Sequence, residues 1–167
     1  IAPSLVGSEM CIRDRLIIGS FPPNKMVLPV GCKMRYLDGL DKINDRESKR
    51  FNFFYGSKQN GFWELFINSL KLKIDIDDLK VLKNWLRKNK WGVTDIVLKT
   101  TRKKDSPSDQ DLVPKEWNKS LIEKVLNENK IKHIYFTSKW VRNHFEKIIS
   151  PKLYKSCLLY TSDAADE

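Results

Sequence analysis

A chain of 167 residues with 41% hydrophobic side chains is about one domain's worth, enough to enclose a single α/β core. Its net charge of +10 suits a polyanionic partner, and no apolar run approaches the roughly 18 residues that a membrane-spanning helix needs. Three cysteines, Cys11, Cys32 and Cys157, exclude a disulfide scaffold, a four-thiolate zinc site and a four-cysteine iron–sulfur cluster, and they fit a reducing, cytoplasmic setting.

The first fifteen residues, "IAPSLVGSEMCIRDR", resemble translated sequencing-adapter sequence, so residues 1–15 are set apart from the fold. "RLIIGS", from Arg15 to Ser20, is a short apolar run closed by Gly and Pro-Pro and reads as a buried strand. From Asn24 to Asn52 no period is visible, which predicts a long loop. After Asn60, the apolar positions Phe62, Leu65, Phe66 and Leu70 recur at helical spacing, and a second helix follows Asp77 and Asp78 with Leu79, Leu82, Trp85 and Leu86 on one face. "WGVTDIVLK", Trp91 to Lys99, reads as a strand. A helix from Asn118 to Asn129 has Asn118 placed as N-cap and Leu121, Ile122, Val125 and Leu126 inward. "IKHIYFT", Ile131 to Thr137, is another strand, and Ser138 to Ile149 a helix capped by Ser138. The end, "SCLLYTSDAADE", again resembles adapter sequence, which sets residues 156–167 apart. Those twelve carry −3 and the first fifteen are neutral, so Leu16 to Lys155 holds +13.

Strands separated by helices predict an α/β fold, a three-layer α/β/α sandwich around a mainly parallel sheet, with ligands at the carboxyl ends of the strands. Those ends are "GSFPP", the segment after Val97, and Thr137–Ser138. "GSFPP" is neither a phosphate-binding loop nor a dinucleotide fingerprint, because the later glycines and the Lys-Ser/Thr pair are missing. Asn60, taken alone, suits a helix cap. Of the carboxylates Asp95, Asp105, Asp109 and Asp111, only Asp95 sits in a predicted strand, which is a thin basis for a two-metal nuclease. His133 and His144 fall in core-forming segments and read as structural.

Taken in order, "LIIGSFPP", "FFYGSKQNGFW", "WGVTDIV" with the following "TTRKKDSPSDQD", and "IKHIYFTSKWVRNHF" resemble the uracil-DNA glycosylase superfamily, most closely its hypoxanthine-DNA glycosylase branch. The resemblance spans most of Leu16 to Phe145 and implies a glycosylase-like domain over residues 16–155, incomplete at its C-terminus, with Asn24–Asn52 longer than the branch's usual spacing. It implies a monofunctional enzyme of base-excision repair that hydrolyses the N-glycosidic bond of uracil or hypoxanthine in DNA, as a monomer, with no metal or organic cofactor. Residue by residue, it places Gly19, Ser20, Phe21 and Pro22 on the substrate loop, Tyr55 in the base pocket, and Asn60 as the catalytic group that orients water. Phe21 stands where other branches carry a catalytic Asn or Asp, so the polar duty falls to Asn60. Lys99, Arg102, Lys103 and Lys104, after a strand end, are the expected phosphate contacts. The alternatives are a non-catalytic nucleic-acid-binding α/β module and a metal-dependent nuclease around Asp95.

Overall fold

A computed structural model describes residues 14–21, 61–104 and 108–162. Its centre is β1 (Arg15–Gly19), an apolar strand whose Leu16, Ile17 and Ile18 are almost wholly buried. A strand covered on both faces needs apolar residues at consecutive positions, and that is the composition a parallel sheet demands. On one side β1 pairs in parallel with β2 (Trp91–Asp95), and on the other with β5 (His133–Phe136). β5 in turn pairs in parallel with β6 (Leu158–Thr161), which gives the order β2-β1-β5-β6. β6 lies within the segment that the sequence set apart as adapter-like, and it forms the edge of the sheet.

Alternation along the strands divides the core in two. Leu16, Ile18, Ile134 and Phe136 pack with α3 (Lys119–Glu128) through Ile122, Val125 and Leu126, and with α4 (Lys139–Ile148) through Val141 and Phe145. On the opposite face, Ile17 and Val93 pack with α1 (Phe62–Ser69) through Trp63, and with α2 (Leu79–Lys88) through Leu82 and Leu86. The fold is therefore α/β, with a parallel four-stranded sheet and helices against both faces, as the alternation of strands and helices predicted. Each fully buried Leu or Ile contributes about 1.5–3 kcal/mol relative to exposure. Among the described residues no helix is long and apolar enough to cross a membrane.

Three details depart from the sequence expectation. In α1 the inward residues are Trp63 and Ile67, whereas Leu65 and Leu70 are 58% and 43% exposed. Phe62 and Phe66 do pack, partly buried, on the same core as Trp63, so the expected face is met at its aromatics and missed at its leucines. The strand expected over Trp91–Lys99 is two strands: after Asp95 the chain leaves the sheet, and β3 (Val97–Arg102) pairs antiparallel with β4 (Leu112–Trp117). β4 contains Pro114, a residue that argues against a central strand but is accepted in a two-stranded ribbon that is all edge. Finally, Asn118 stands before α3 without capping it, and its amide serves another purpose. Asp78 and Ser138 do cap, accepting from the N–H of Val81 at 3.1 Å and of Val141 at 3.3 Å.

Candidate functional site

The carboxyl ends of β1, β2 and β5 are bound to one another through the backbone. Ile96 N–H donates to the Gly19 carbonyl at 2.8 Å, Val97 N–H to the Ser20 carbonyl at 3.1 Å, and Thr137 N–H to the Ile18 carbonyl at 3.1 Å. The turn Gly19-Ser20-Phe21 thus issues from the middle of the sheet, between the exits of two neighbouring strands. Phe21 folds against the core on the α3 and α4 side, half-buried.

Asp95 lies opposite Gly19 and is 6% exposed. Asn118 braces it: Nδ2 donates to the Asp95 carbonyl at 2.9 Å and to Thr94 Oγ1 at 3.2 Å, while Asn118 N–H donates to the Ile96 carbonyl at 2.8 Å. Beyond β5, Ser138 Oγ accepts from Val141 N–H and donates to Asp109 Oδ2 at 2.9 Å, which ties α4 to the segment before β4. Among the described residues no three His, Cys, Asp or Glu side chains stand close enough together to hold a metal ion.

The two histidines occupy structural surroundings, as their segments implied. His144 Nδ1 lies 2.8 Å from the Trp140 carbonyl, an acceptor, so that nitrogen carries the proton, and the ring sits 5.1 Å from that of Trp117. His133 Nδ1 lies 3.2 Å from the Tyr160 hydroxyl.

Of the residues that the resemblance assigns to the site, Gly19, Ser20 and Phe21 come together at the exit of β1, whereas Pro22, Tyr55 and Asn60 lie outside the described residues. The expected phosphate contacts belong to the β3–β4 ribbon. Lys99 is paired with Glu116 across it, Lys103 donates its N–H to the Asp111 carbonyl at 2.9 Å, and Lys103 and Lys104 have exposed side chains. The Arg102 backbone lies opposite Leu112.

A second feature went unseen in the sequence. On the α1 and α2 face, a cavity of about 590 Å³ runs from Arg15 and Asn89 at the amino end of the sheet to Thr137 and Thr161 at the carboxyl end. Its interior is aromatic: Tyr135 stacks on Tyr160 with centroids 4.7 Å apart and planes 12° from parallel, and its ring lies 5.1 Å from that of Trp91, which meets Phe66 edge-on at 5.1 Å. The Arg15 guanidinium lies 5.5 Å from the centroid of Trp91, a cation–π arrangement, and is paired with Asp14 at 3.2 Å. Burial, with Tyr160 next, holds the Tyr135 phenol above its ordinary pKa. Alternation in "HIYF" puts Tyr135 on the face opposite Ile134 and Phe136, a signal present in the sequence; which face stays uncovered depends on how far α1 and α2 extend.

No family model matches the chain, and comparison with curated proteins and with solved structures finds no similar one.

Proposed function

We propose that the chain is a DNA glycosylase that removes a deaminated base, uracil or hypoxanthine, from DNA, on an α/β scaffold of the uracil-DNA glycosylase kind. The observation that carries this reading is the topology around β1 and β5. The chain leaves β1 for helices on one face and leaves β5 for α4 on the other, so the two neighbouring strands send their connections to opposite sides. In open parallel sheets such a switch point, at the carboxyl ends, is where ligands lodge. The "GSFPP" loop, to which the resemblance assigns the substrate, begins at that point, and Asn60 directly precedes the Gly61 that opens α1.

The chemistry requires an extruded nucleotide, a water at the anomeric carbon, and donors aimed at a base that leaves as an anion. Asn60 accepts from and orients the water without acting as a strong base. Backbone N–H groups of the Gly19–Phe21 turn are the donors to the departing base, and Tyr55 stacks on it. Lysines of the β3–β4 ribbon meet the phosphates.

The experiment is strand scission at abasic sites after incubating the chain with oligonucleotides that contain uracil or hypoxanthine. Product from the wild type and little from Asn60→Ala is the expected result, with Asn60→Asp altered in rate. Equal product from wild type and Asn60→Ala refutes the role of Asn60. Binding without any product leaves a non-catalytic nucleic-acid-binding module.

A further inference from the structure

The β3–β4 ribbon carries the expected phosphate contacts, yet a two-stranded ribbon by itself is at best marginally stable in water. Its root is well supported. Ile96 and Val97 donate their N–H groups to the Gly19 and Ser20 carbonyls, and Trp117, paired with Val97 across the ribbon, sets its ring 5.1 Å from that of His144 and 6.2 Å from that of Trp140 on α4. The far end is the part that needs an anchor. Past the last strand pair, Arg102 opposite Leu112, Lys103 N–H donates to the Asp111 carbonyl at 2.9 Å, and Lys103 and Lys104 have exposed side chains.

That anchor is the single 3-10 turn Asp109–Asp111. Ser108 closes the turn, accepting from Gln110 N–H at Oγ (3.3 Å) and from Asp111 N–H at its carbonyl (3.2 Å). Asp109, half-buried, accepts at Oδ2 from the Ser138 hydroxyl at 2.9 Å. Ser138 follows β5, is 4% exposed, and caps α4 by accepting from Val141 N–H with the same oxygen. One hydroxyl, held by the helix it caps, therefore fastens the turn, and the turn holds the backbone of Lys103. A hydrogen bond to a carboxylate is stronger than one between neutral groups, which suits a carboxylate to this anchor even though a free one would repel the phosphates that the lysines attract.

We propose that Asp109 is a positioning residue for DNA binding: through Ser138 it holds Lys103 and Lys104 at a set place relative to the exit of β5 and to the Gly19–Phe21 turn, where the root of the ribbon is fastened. This rests on the reading of the ribbon as the phosphate-binding surface, and it requires no excision chemistry. Positioning and bare electrostatics predict opposite signs for one substitution. If Asp109 were only a surface anion, Asp109→Ala would remove a charge of the same sign as phosphate and tighten binding. If it positions, Asp109→Ala releases the turn, the lysines must be ordered on binding, and affinity falls. Asp109→Asn keeps a carbonyl oxygen that accepts from the Ser138 hydroxyl, so it retains the anchor without the charge.

The test is fluorescence anisotropy of the full chain with a labelled, undamaged DNA duplex across a range of salt, beside the scission assay on duplex that contains uracil or hypoxanthine. Asp109→Ala should weaken duplex binding roughly tenfold, the cost of ordering about one backbone residue, and should lower the salt slope by about 0.9 for each phosphate given up. Asp109→Asn should bind at least as tightly as the wild type. In the scission assay Asp109→Ala should raise KM and leave kcat unchanged, because a grip on phosphate is the same in the ground and transition states. A merely structural loss would instead lower the melting temperature and the active fraction, and with it kcat, at constant KM. The proposal is overturned if the wild type binds no duplex, if Asp109→Ala binds as tightly as the wild type or more so, if Asp109→Asn is as weak as Asp109→Ala, or if kcat falls while KM holds. Binding that follows the expected order without any abasic product refutes the glycosylase reading and leaves the role of Asp109 standing; product together with unchanged binding by Asp109→Ala does the reverse.

Discussion

Asn118 holds Asp95: its Nδ2 donates to the Asp95 carbonyl at 2.9 Å and to Thr94 Oγ1 at 3.2 Å, linking the start of α3 to the end of β2. A cap and a brace make opposite predictions for one substitution. Aspartate caps a helix as well as asparagine does but cannot donate, and it would set a carboxylate against a carbonyl oxygen. Asn118→Asp and Asn118→Ala should therefore both destabilise, each by about 1–3 kcal/mol, the cost of leaving buried acceptors unmatched. Chemical denaturation measures this, and an Asp variant as stable as the wild type would show that Asn118 is merely a cap.

Which α1 residues face inward is tested by a pair of truncations. Ile67 is 6% exposed, so Ile67→Ala should cost about 2–5 kcal/mol, the transfer energy of the removed atoms plus an unfilled cavity. Leu65 is 58% exposed, and Leu65→Ala should change stability by no more than about 0.5 kcal/mol. If Leu65→Ala proved the costlier, the inward face of the helix would be the one that the sequence spacing suggested.

Alkaline pH should weaken the fold. Tyr135 is held above its ordinary pKa first by burial and then by Tyr160, with Arg15 opposing and Asp14 adding, and burial alone raises the Cys157 thiol. Both groups keep their protons more tightly when folded, so their contribution is complete below their ordinary values, about 8.5 for Cys and 10 for Tyr. It is lost as pH climbs through the raised ones. Thermal melts should show Tm falling above about pH 9, and falling less in Tyr135→Phe, which has no phenol to ionise. Identical alkaline profiles for that variant and the wild type would contradict this account.

On the β3–β4 ribbon the lysines are not equivalent. Lys103 and Lys104 are exposed, whereas Lys99 is paired with Glu116, so its charge is already partly answered. For duplex DNA, Lys103→Gln/Lys104→Gln should reduce the salt slope of binding by about 0.9 for each phosphate left without its lysine, and Lys99→Gln by less. Slopes from binding isotherms at several salt concentrations decide the matter; a larger effect at Lys99 would move the interface toward the ribbon's paired face.

Much of this architecture was legible in local pattern, because local pattern reports burial. The apolar run at Leu16–Ile18 announced a strand covered on both faces, and the spacing of Leu82 with Leu86 and of Ile122 with Leu126 announced the inward sides of two helices. Ser138 was readable as a cap, since capping involves residues only three apart. What tertiary structure alone decided are contacts between segments distant in sequence. Asn118 looked like a cap until Asp95, twenty-three residues earlier, offered its carbonyl to the same amide. The break between β2 and β3 follows from Ile96 and Val97 bonding to the Gly19 and Ser20 carbonyls, partners that no window around Trp91–Lys99 contains. Leu158–Thr161 became a strand for a related reason. Likeness to adapter sequence concerns origin, and pairing requires only β-compatible side chains beside an open edge, which β5 supplies. The same distance effect hid the aromatic cavity, whose Trp91, Tyr135 and Tyr160 come from three strands of one sheet, β2 and β5 flanking β1 and β6 pairing with β5.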